Sequence, residues 1–239
     1  MPIAALLLTA GQGTRMQDAV EDKILMPLAG QPVLNYSVQS FIKSETVSEL
    51  VFVYRDKQQK KAIESVLPSS ISKYQVAFVK GGEERQDSVF NGLSQVSLVN
   101  DYVFIHDCAR PLIRPETLQK LSERVRKERA VSVARPVTDT IKRASTVESE
   151  TTNSYALENV DRTGLWAMET PQVFELEAIL ECYRRLRYNN IRVTDDTSAY
   201  CLENKSIGLL QPEYLNLKIT TPSDIDVISS LLRERELVD

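Results

Sequence analysis

Histidine and cysteine are scarce: His106 is the sole histidine in 239 residues, and the three cysteines are Cys108, Cys182 and Cys201. The cysteines form no metal-like spacing. Their odd number and wide separation lead us to expect reduced thiols in a cytoplasm. A thiol nucleophile wants a partner base. Only His106 stands near Cys108, on the same face of a predicted strand, and we read Cys108 as a small packing residue. No apolar run approaches the length that spans a membrane. Strand-like residues begin at Ile3, so neither a signal peptide nor an Arg-rich transit peptide is expected. A net charge of −4 gives no broad basic face for nucleic acid, so cations should sit locally, at a ligand. We find no internal repeat and no interdomain linker. With 42% hydrophobic and 26% charged residues, the expected product is one soluble α/β domain over residues 1–239.

Against these absences stands the segment Leu8-Thr9-Ala10-Gly11-Gln12-Gly13-Thr14-Arg15-Met16, with Lys23 close behind. The apolar run Ile3–Leu8 precedes it with the length of a strand. Glycines let a turn approach a ligand closely, so that main-chain N–H groups point at anionic oxygens. Arg15 and Lys23 add full positive charges. The common phosphate motifs are nevertheless missing. There is no Gly-Lys-Ser/Thr ending of a Walker loop, and Arg15 falls near the third glycine of the Rossmann fingerprint. Taken alone, the glycines read equally well as a surface turn.

Strands are expected at Ile3–Leu8, Leu50–Tyr54, Gln75–Val79, Tyr102–His106 and Val131–Ala134. Helices are expected at Pro32–Phe41, Lys57–Leu67, Gln86–Val96 and Pro115–Glu128. This alternation implies a Rossmann-like, mostly parallel sheet with helices on both faces. Ligands of such sheets bind beyond the carboxyl ends of the strands. The glycine segment, Gly81-Gly82 and Asp107 all follow predicted strands and should converge on one rim. Over about 137–160 the pattern changes: extended flanks enclose the polar stretch Ala144–Ser154, as in a protruding β-hairpin arm. Beyond it we expect a helix near Glu175–Tyr188, a strand near Tyr214–Ile219 and a helix from Pro222 towards Leu232.

Three clusters carry candidate chemistry. In Gly81–Ser88, close approach of a base and hydrogen bonds from Glu83 and Ser88 compete with an ordinary helix cap. In His106–Pro111, Asp107 is a hard oxygen ligand suited to Mg²⁺ on a triphosphate, or a turn cap. In Asn216–Thr220, Lys218 either faces solvent or points to a phosphate.

Jointly, Ala10–Met16, Gly81–Ser88, His106–Pro111, Asp161–Trp166, Thr170–Gln172 and Lys218–Thr220 resemble the 2-C-methyl-D-erythritol 4-phosphate cytidylyltransferases, in that family's order and from end to end. The resemblance implies transfer of CMP from CTP to methylerythritol phosphate, with release of pyrophosphate and a need for Mg²⁺. It implies that Arg15, Lys23 and Lys218 act on the triphosphate and that Asp107 holds the metal. Ala10, Gly11, Gly13, Gly82, Glu83, Ser88 and Arg110 would bind the nucleotide. Thr140, Arg162, Thr170 and Thr194 would bind the second substrate. It also implies a homodimer with exchanged arms, Thr140 and Arg162 serving the neighbour's site.

Two departures stand out. The stretch between Arg15 and Lys23 is one residue longer than the family pattern, with Asp22 where a Pro is usual. Glu83 stands where a shorter Asp is common. A sister cytidylyltransferase for ribitol 5-phosphate tends to lack the Gly-Leu-Trp run found here at Gly164–Trp166. A non-catalytic nucleotide-binding regulator would be expected to lose Lys23, Asp107 or Lys218.

Overall fold

The computed structural model describes residues 1–11, 22–146, 155–202 and 204–236. The chain opens with β1 (Ile3–Leu8), a short hairpin of β2 (Pro27–Leu28) and β3 (Gln31–Pro32), α1 (Val33–Ser44) and β4 (Glu49–Tyr54). It continues through α2 (Lys57–Val66), β5 (Gln75–Lys80), α3 (Arg85–Leu93), β6 (Tyr102–Asp107), α4 (Pro115–Glu128) and β7 (Ala130–Pro136). Then follow β8 (Lys142–Thr146), β9 (Tyr155–Asn159), β10 (Trp166–Glu175), α5 (Leu176–Tyr188), α6 (Asp196–Cys201), β11 (Gly208–Leu210) and α7 (Pro222–Glu236). Among the described residues, no helix is long and apolar enough to cross a membrane.

Seven strands form one sheet in the order β11-β7-β10-β6-β1-β4-β5. Every pairing in it is parallel except those of β10, which runs antiparallel to both β6 and β7. The near-continuous apolar runs follow from burial on both faces. On β1, Ile3, Ala5 and Leu7 join one core with Leu34, Phe41, Ile63 and Leu121 from α1, α2 and α4. Ala4 and Leu6 point the other way, against Val89, Leu93, Ile179 and Tyr183 of α3 and α5. A third cluster seats α7 on α1 through Ile228, Leu232, Val33 and Tyr36.

The five expected strands and four expected helices of the first half are present, displaced by three residues at most. Helix α4 has the predicted ends: Pro115 starts it, and Arg129 in the left-handed region closes it. Two differences matter for the site. The long strand β10 was not expected. Pro171 cannot donate to a ladder, and the register against β7 shifts between Met168 and Gln172. The strand expected near Tyr214–Ile219 does not form; the segment joins no ladder. Side chains and one backbone hydrogen bond hold it instead. Asn216 Nδ2 donates to Glu169 Oε2 at 3.0 Å and to the Thr170 carbonyl at 2.8 Å. Arg110 Nη1 donates to the Asn216 carbonyl at 2.7 Å, and Ile219 N–H to the Ala109 carbonyl at 2.8 Å. The expected hairpin is present as β8 and β9, paired antiparallel from Lys142 opposite Asn159 to Thr146 opposite Tyr155.

Candidate active site

The carboxyl ends of β1, β4, β5 and β6 open into a cleft of about 720 Å³, within the size range of small-molecule sites. Ala10, Gly11, Gly82, Glu83, Ser88, Asp107, Lys23 and Lys218 line it, together with Arg55, Lys80 and Arg85. Gly13 and Arg15 lie outside the described residues.

Gly81 and Gly82 are required by packing. A Cβ on Gly82 would lie 2.3 Å from Asp87 Cβ, and one on Gly81 would lie 2.7 Å from Ser88 Oγ. The start of α3 is capped reciprocally by Glu84 and Asp87, not by Ser88. The Ser88 hydroxyl instead accepts from the Gly82 N–H at 3.1 Å. The Gly81-Gly82 turn is thereby held close to the start of α3, in the cleft lining.

Asp107 ends β6 between cations. Its Oδ2 accepts from Lys218 Nζ, and its Oδ1 accepts from Arg85 Nε and Nη2, each at 3.3 Å. Burial pushes this carboxyl up, but Arg85, Lys218 and Arg110 outweigh it and hold the group well below the usual carboxylate range. Arg85 is a residue that the sequence reading assigned no role. Its other edge forms a two-pronged pair with Asp196, Nη1 to Oδ1 at 3.0 Å and Nη2 to Oδ2 at 2.8 Å. Asp196 is wholly buried and also accepts from the Tyr183 hydroxyl at 2.6 Å. Burial opposes the charge on Arg85, but Asp196 and Asp107 raise its pKa well above the ordinary value. Arg85 stands within Gly81–Ser88, yet Asp196 is remote in sequence, and no local spacing reveals the pairing.

Behind Asp107 lies a chain of buried hydrogen bonds. The Asp107 N–H donates to Thr170 Oγ1 at 3.1 Å, and that hydroxyl is 3.2 Å from His106 Nδ1. His106 Nε2 is 3.1 Å from Ser37 Oγ, whose hydroxyl donates to the Arg110 carbonyl at 3.4 Å. One arrangement satisfies every member: Thr170 donates to Nδ1, and Nε2–H donates to Ser37. Burial lowers the His106 pKa to about 3; Asp107 opposes the fall, while Arg110 and Lys218 add to it. The imidazole is thus neutral and inaccessible. Cys108 is equally buried, with its thiol pushed well up by burial and by Asp107. It packs in the core, as its sequence context suggested.

This neutral histidine has a measurable consequence. In the unfolded chain it takes a proton below about pH 6.5, whereas in the folded chain it does not. The unfolded state then binds more protons, so stability must fall as pH falls, at about 1.4 kcal/mol per pH unit at full slope. Urea unfolding between about pH 7 and 5 should show that decline, and His106→Gln should flatten it. A wild-type curve that stays flat over this range would contradict the buried neutral ring.

The remaining predicted residues do not line the cleft. Thr170 is buried and serves the Asp107 backbone. Arg110 is partly buried, its Nη1 bound to the Asn216 carbonyl, and burial lowers its pKa. Thr140, Arg162 and Thr194 are exposed. The Arg162 guanidinium donates to the Thr138 carbonyl at the root of the hairpin. The Thr194 and Ser198 hydroxyl oxygens are 3.4 Å apart. Tyr155 and Leu157 on β9 are also exposed, 55% and 65%, which leaves the arm an uncovered apolar side.

Among the described residues no group of three or more His, Cys, Asp or Glu side chains is placed to hold a metal. Asp107 is the carboxylate at the end of β6, set among the cleft's cations, with Glu83 and Glu84 also in the lining. That donor set fits a cation taking most of its ligands from a polyphosphate, as Mg²⁺ commonly does.

A family model described as 2-C-methyl-D-erythritol 4-phosphate cytidylyltransferase matches residues 3–234. A relative of that name from Caldanaerobacter subterraneus subsp. tengcongensis is 36% identical, covering 98% of this chain and 100% of its own. Another of that name, from Lachnospira eligens, is 38% identical, covering 96% of this chain and 98% of its own. A solved structure titled 4-diphosphocytidyl-2C-methyl-D-erythritol synthase, from Anaerococcus prevotii, superimposes with a TM-score of 0.78 at 24% identity, covering 97% of this chain and 98% of that one. The last likeness speaks for the fold alone.

Proposed function

The chain belongs to the 2-C-methyl-D-erythritol 4-phosphate cytidylyltransferase family, and from that premise we propose how its residues divide the work. The enzyme transfers CMP from CTP to 2-C-methyl-D-erythritol 4-phosphate, on the route to isoprenoids. A substrate phosphate oxygen forms a bond to the α-phosphorus of CTP. The bond from that phosphorus to the bridging oxygen breaks, and pyrophosphate leaves with the electron pair. The nucleophile is a phosphate monoester, largely dianionic near neutral pH because its second pKa is about 6. No general base is needed. The observation that supports this reading most is the cleft itself: cations gather at its rim, while the sole histidine is buried and neutral.

The task left to the protein is to hold two repelling anions in line and stabilise charge at phosphorus. Lys23 and Lys218 take that role, joined by Arg15 from outside the described residues. Ala10, Gly11 and Gly13 face the phosphates; Gly82, Glu83 and Ser88 read the cytosine edge, with Arg110 supporting from beneath. Asp107 would hold the metal, which we take to be Mg²⁺. When bound, that ion screens charge and orients the triphosphate. Thr140 and Arg162, exposed on the arm, bind methylerythritol phosphate in a second copy's site, with Thr170 and Thr194 nearby. Residues 1–239 act as one nucleotidyltransferase unit with its arm at about 137–160, in a homodimer. Three cysteines outside any disulfide accord with a cytoplasmic setting.

The assignment is tested by coupled pyrophosphate release, comparing CTP with UTP and methylerythritol phosphate with ribitol 5-phosphate. The CTP and methylerythritol phosphate pair should give the highest kcat/KM. A preference for ribitol 5-phosphate would overturn the substrate assignment. For the metal, Asp107→Asn keeps shape and one oxygen but loses the charge a hard cation prefers. Its activity should therefore need several-fold more Mg²⁺ for half-saturation. Superimposable metal titrations would leave Asp107 as a partner of Arg85 and Lys218 only.

A further inference from the structure

Resting on the role given to Lys23 above, we infer that Asp22 and Gln59 are positioning residues for that lysine: a buried amide–carboxylate clamp that sets where Lys23 enters the cleft. Gln59 lies in the first turn of α2 and is 2% exposed. Both hydrogens of its amide have acceptors. Nε2 donates to the Thr9 carbonyl at 2.9 Å and to Asp22 Oδ2 at 2.6 Å. Its Oε1 accepts from the Arg55 N–H at 2.6 Å. One side chain thus ties the residue after β1 to the residue before Lys23. The phosphate-seeking segment Gly11-Gln12-Gly13 lies in sequence between those two points.

Both anchors are held by further hydrogen bonds. The Thr9 N–H continues the β1–β4 ladder, donating to the Val53 carbonyl at 3.0 Å, and its hydroxyl donates to the same oxygen. Gln59 is itself fixed by Asp56, the cap of α2, whose Oδ1 accepts from the Gln59 N–H at 2.8 Å. Asp22 uses its remaining capacity locally. Its Oδ1 accepts from the Ile24 N–H at 3.1 Å, and its carbonyl from the N–H groups of Leu25 and Met26 at 3.2 and 3.0 Å. Arg55, which lines the cleft, approaches Asp22 Oδ2 at 3.4 Å. On the far side of Lys23, Ile24 is buried in the main core and its carbonyl accepts from the Leu34 N–H at 2.9 Å. Lys23 therefore stands between a clamped residue and a core residue, and its Nζ reaches the Ile219 carbonyl at 3.2 Å, beside the Lys218 segment.

A clamp of this kind acts through geometry. A misplacement of about 1 Å costs up to roughly 10²-fold in rate, and a buried polar network with every member satisfied specifies one arrangement. Asp22→Ala should lower kcat by roughly 10- to 100-fold with little change in KM for CTP. Asp22→Asn, which keeps an acceptor for Gln59, should recover most of that loss. Gln59→Glu turns the shared donor into an acceptor facing the Thr9 carbonyl and the Asp22 carboxylate, and should reproduce the loss.

The deciding experiment is a double-mutant cycle with Lys23→Ala, using single-turnover rates on folded, purified enzyme with thermal midpoints recorded. If Asp22 acts through Lys23, Asp22→Ala should change the rate less than about twofold once Lys23 is gone, because coupled residues are non-additive. A full drop in both backgrounds overturns the inference. So does a lowered midpoint with an unchanged wild-type-background kcat, which marks Asp22 as structural only. If Asp22→Ala fails to fold, Gln59→Glu takes its place in the same cycle under the same criteria. Should Lys23→Ala itself keep a near-normal kcat, the role given to Lys23 fails and the positioning inference falls with it. An inactive Lys23→Ala with additive Asp22 effects removes the clamp alone.

Discussion

Lys23→Ala is expected to lose roughly 10²–10³-fold in kcat, about 3–4 kcal/mol, with a much smaller rise in KM for CTP. The reason lies in what the lysine is asked to do. A cation aimed at charge that develops during attack on phosphorus stabilises the transition state more than the bound substrate. The structure puts Lys23 in the wall of the cleft. Steady-state pyrophosphate release at saturating CTP and methylerythritol phosphate measures the effect. A folded Lys23→Ala enzyme with near-normal kcat would show that the charge at phosphorus is met elsewhere. A loss confined to KM would make Lys23 a ground-state contact.

Mixing two inactive variants should restore activity. In this chain Lys23 lines the cleft, whereas Arg162 sits exposed at the root of the hairpin, bonded to the Thr138 carbonyl. If the arm reaches a second copy, each site takes Lys23 from one protomer and Arg162 from the other. Lys23→Ala and Arg162→Ala homodimers should then both be nearly inactive. After unfolding and re-pairing, every mixed dimer holds one intact site and one doubly damaged site. With random pairing half of the dimers are mixed, so about a quarter of wild-type activity should return, as two-fold symmetry requires. Differently tagged chains verify exchange. Verified mixed dimers without recovered activity would place both residues in one protomer's site and sink the shared-site model, leaving the cytidylyltransferase assignment intact.

Local pattern was sufficient where local physics dominates. Helix α4 was legible to both ends, since a proline opens it and its amphipathic spacing runs unbroken. The rim residues Gly81, Gly82 and Asp107 were legible because they follow apolar strand-length runs, and a doubly wound sheet delivers such residues to one edge. The antiparallel β10 was hidden, because Glu169, Thr170 and Pro171 interrupt the apolar pattern within it. They are stabilised there by partners remote in sequence: Glu169 by Arg135 and Asn216, and Thr170 by Asp107 and His106. Conversely, Tyr214–Ile219 carries the alternation of a strand but pairs with none. Its backbone is held by Arg110 and Ala109, and by Asn216 reaching to β10.

The sequence by itself determined the alternating α/β frame, the family, and which residue types were expected at the rim of the sheet. These depend on short-range periodicity and on motifs whose members are close together. Only the tertiary structure decided how those residues are held. Arg85 is shared between Asp107 and Asp196, Lys218 is brought onto Asp107 by an unladdered segment, and Gln59 binds Thr9 to Asp22. Each of these contacts joins groups that are distant in sequence. Their energies come from burial and from opposed charges that exist only once the sheet and its helices have packed.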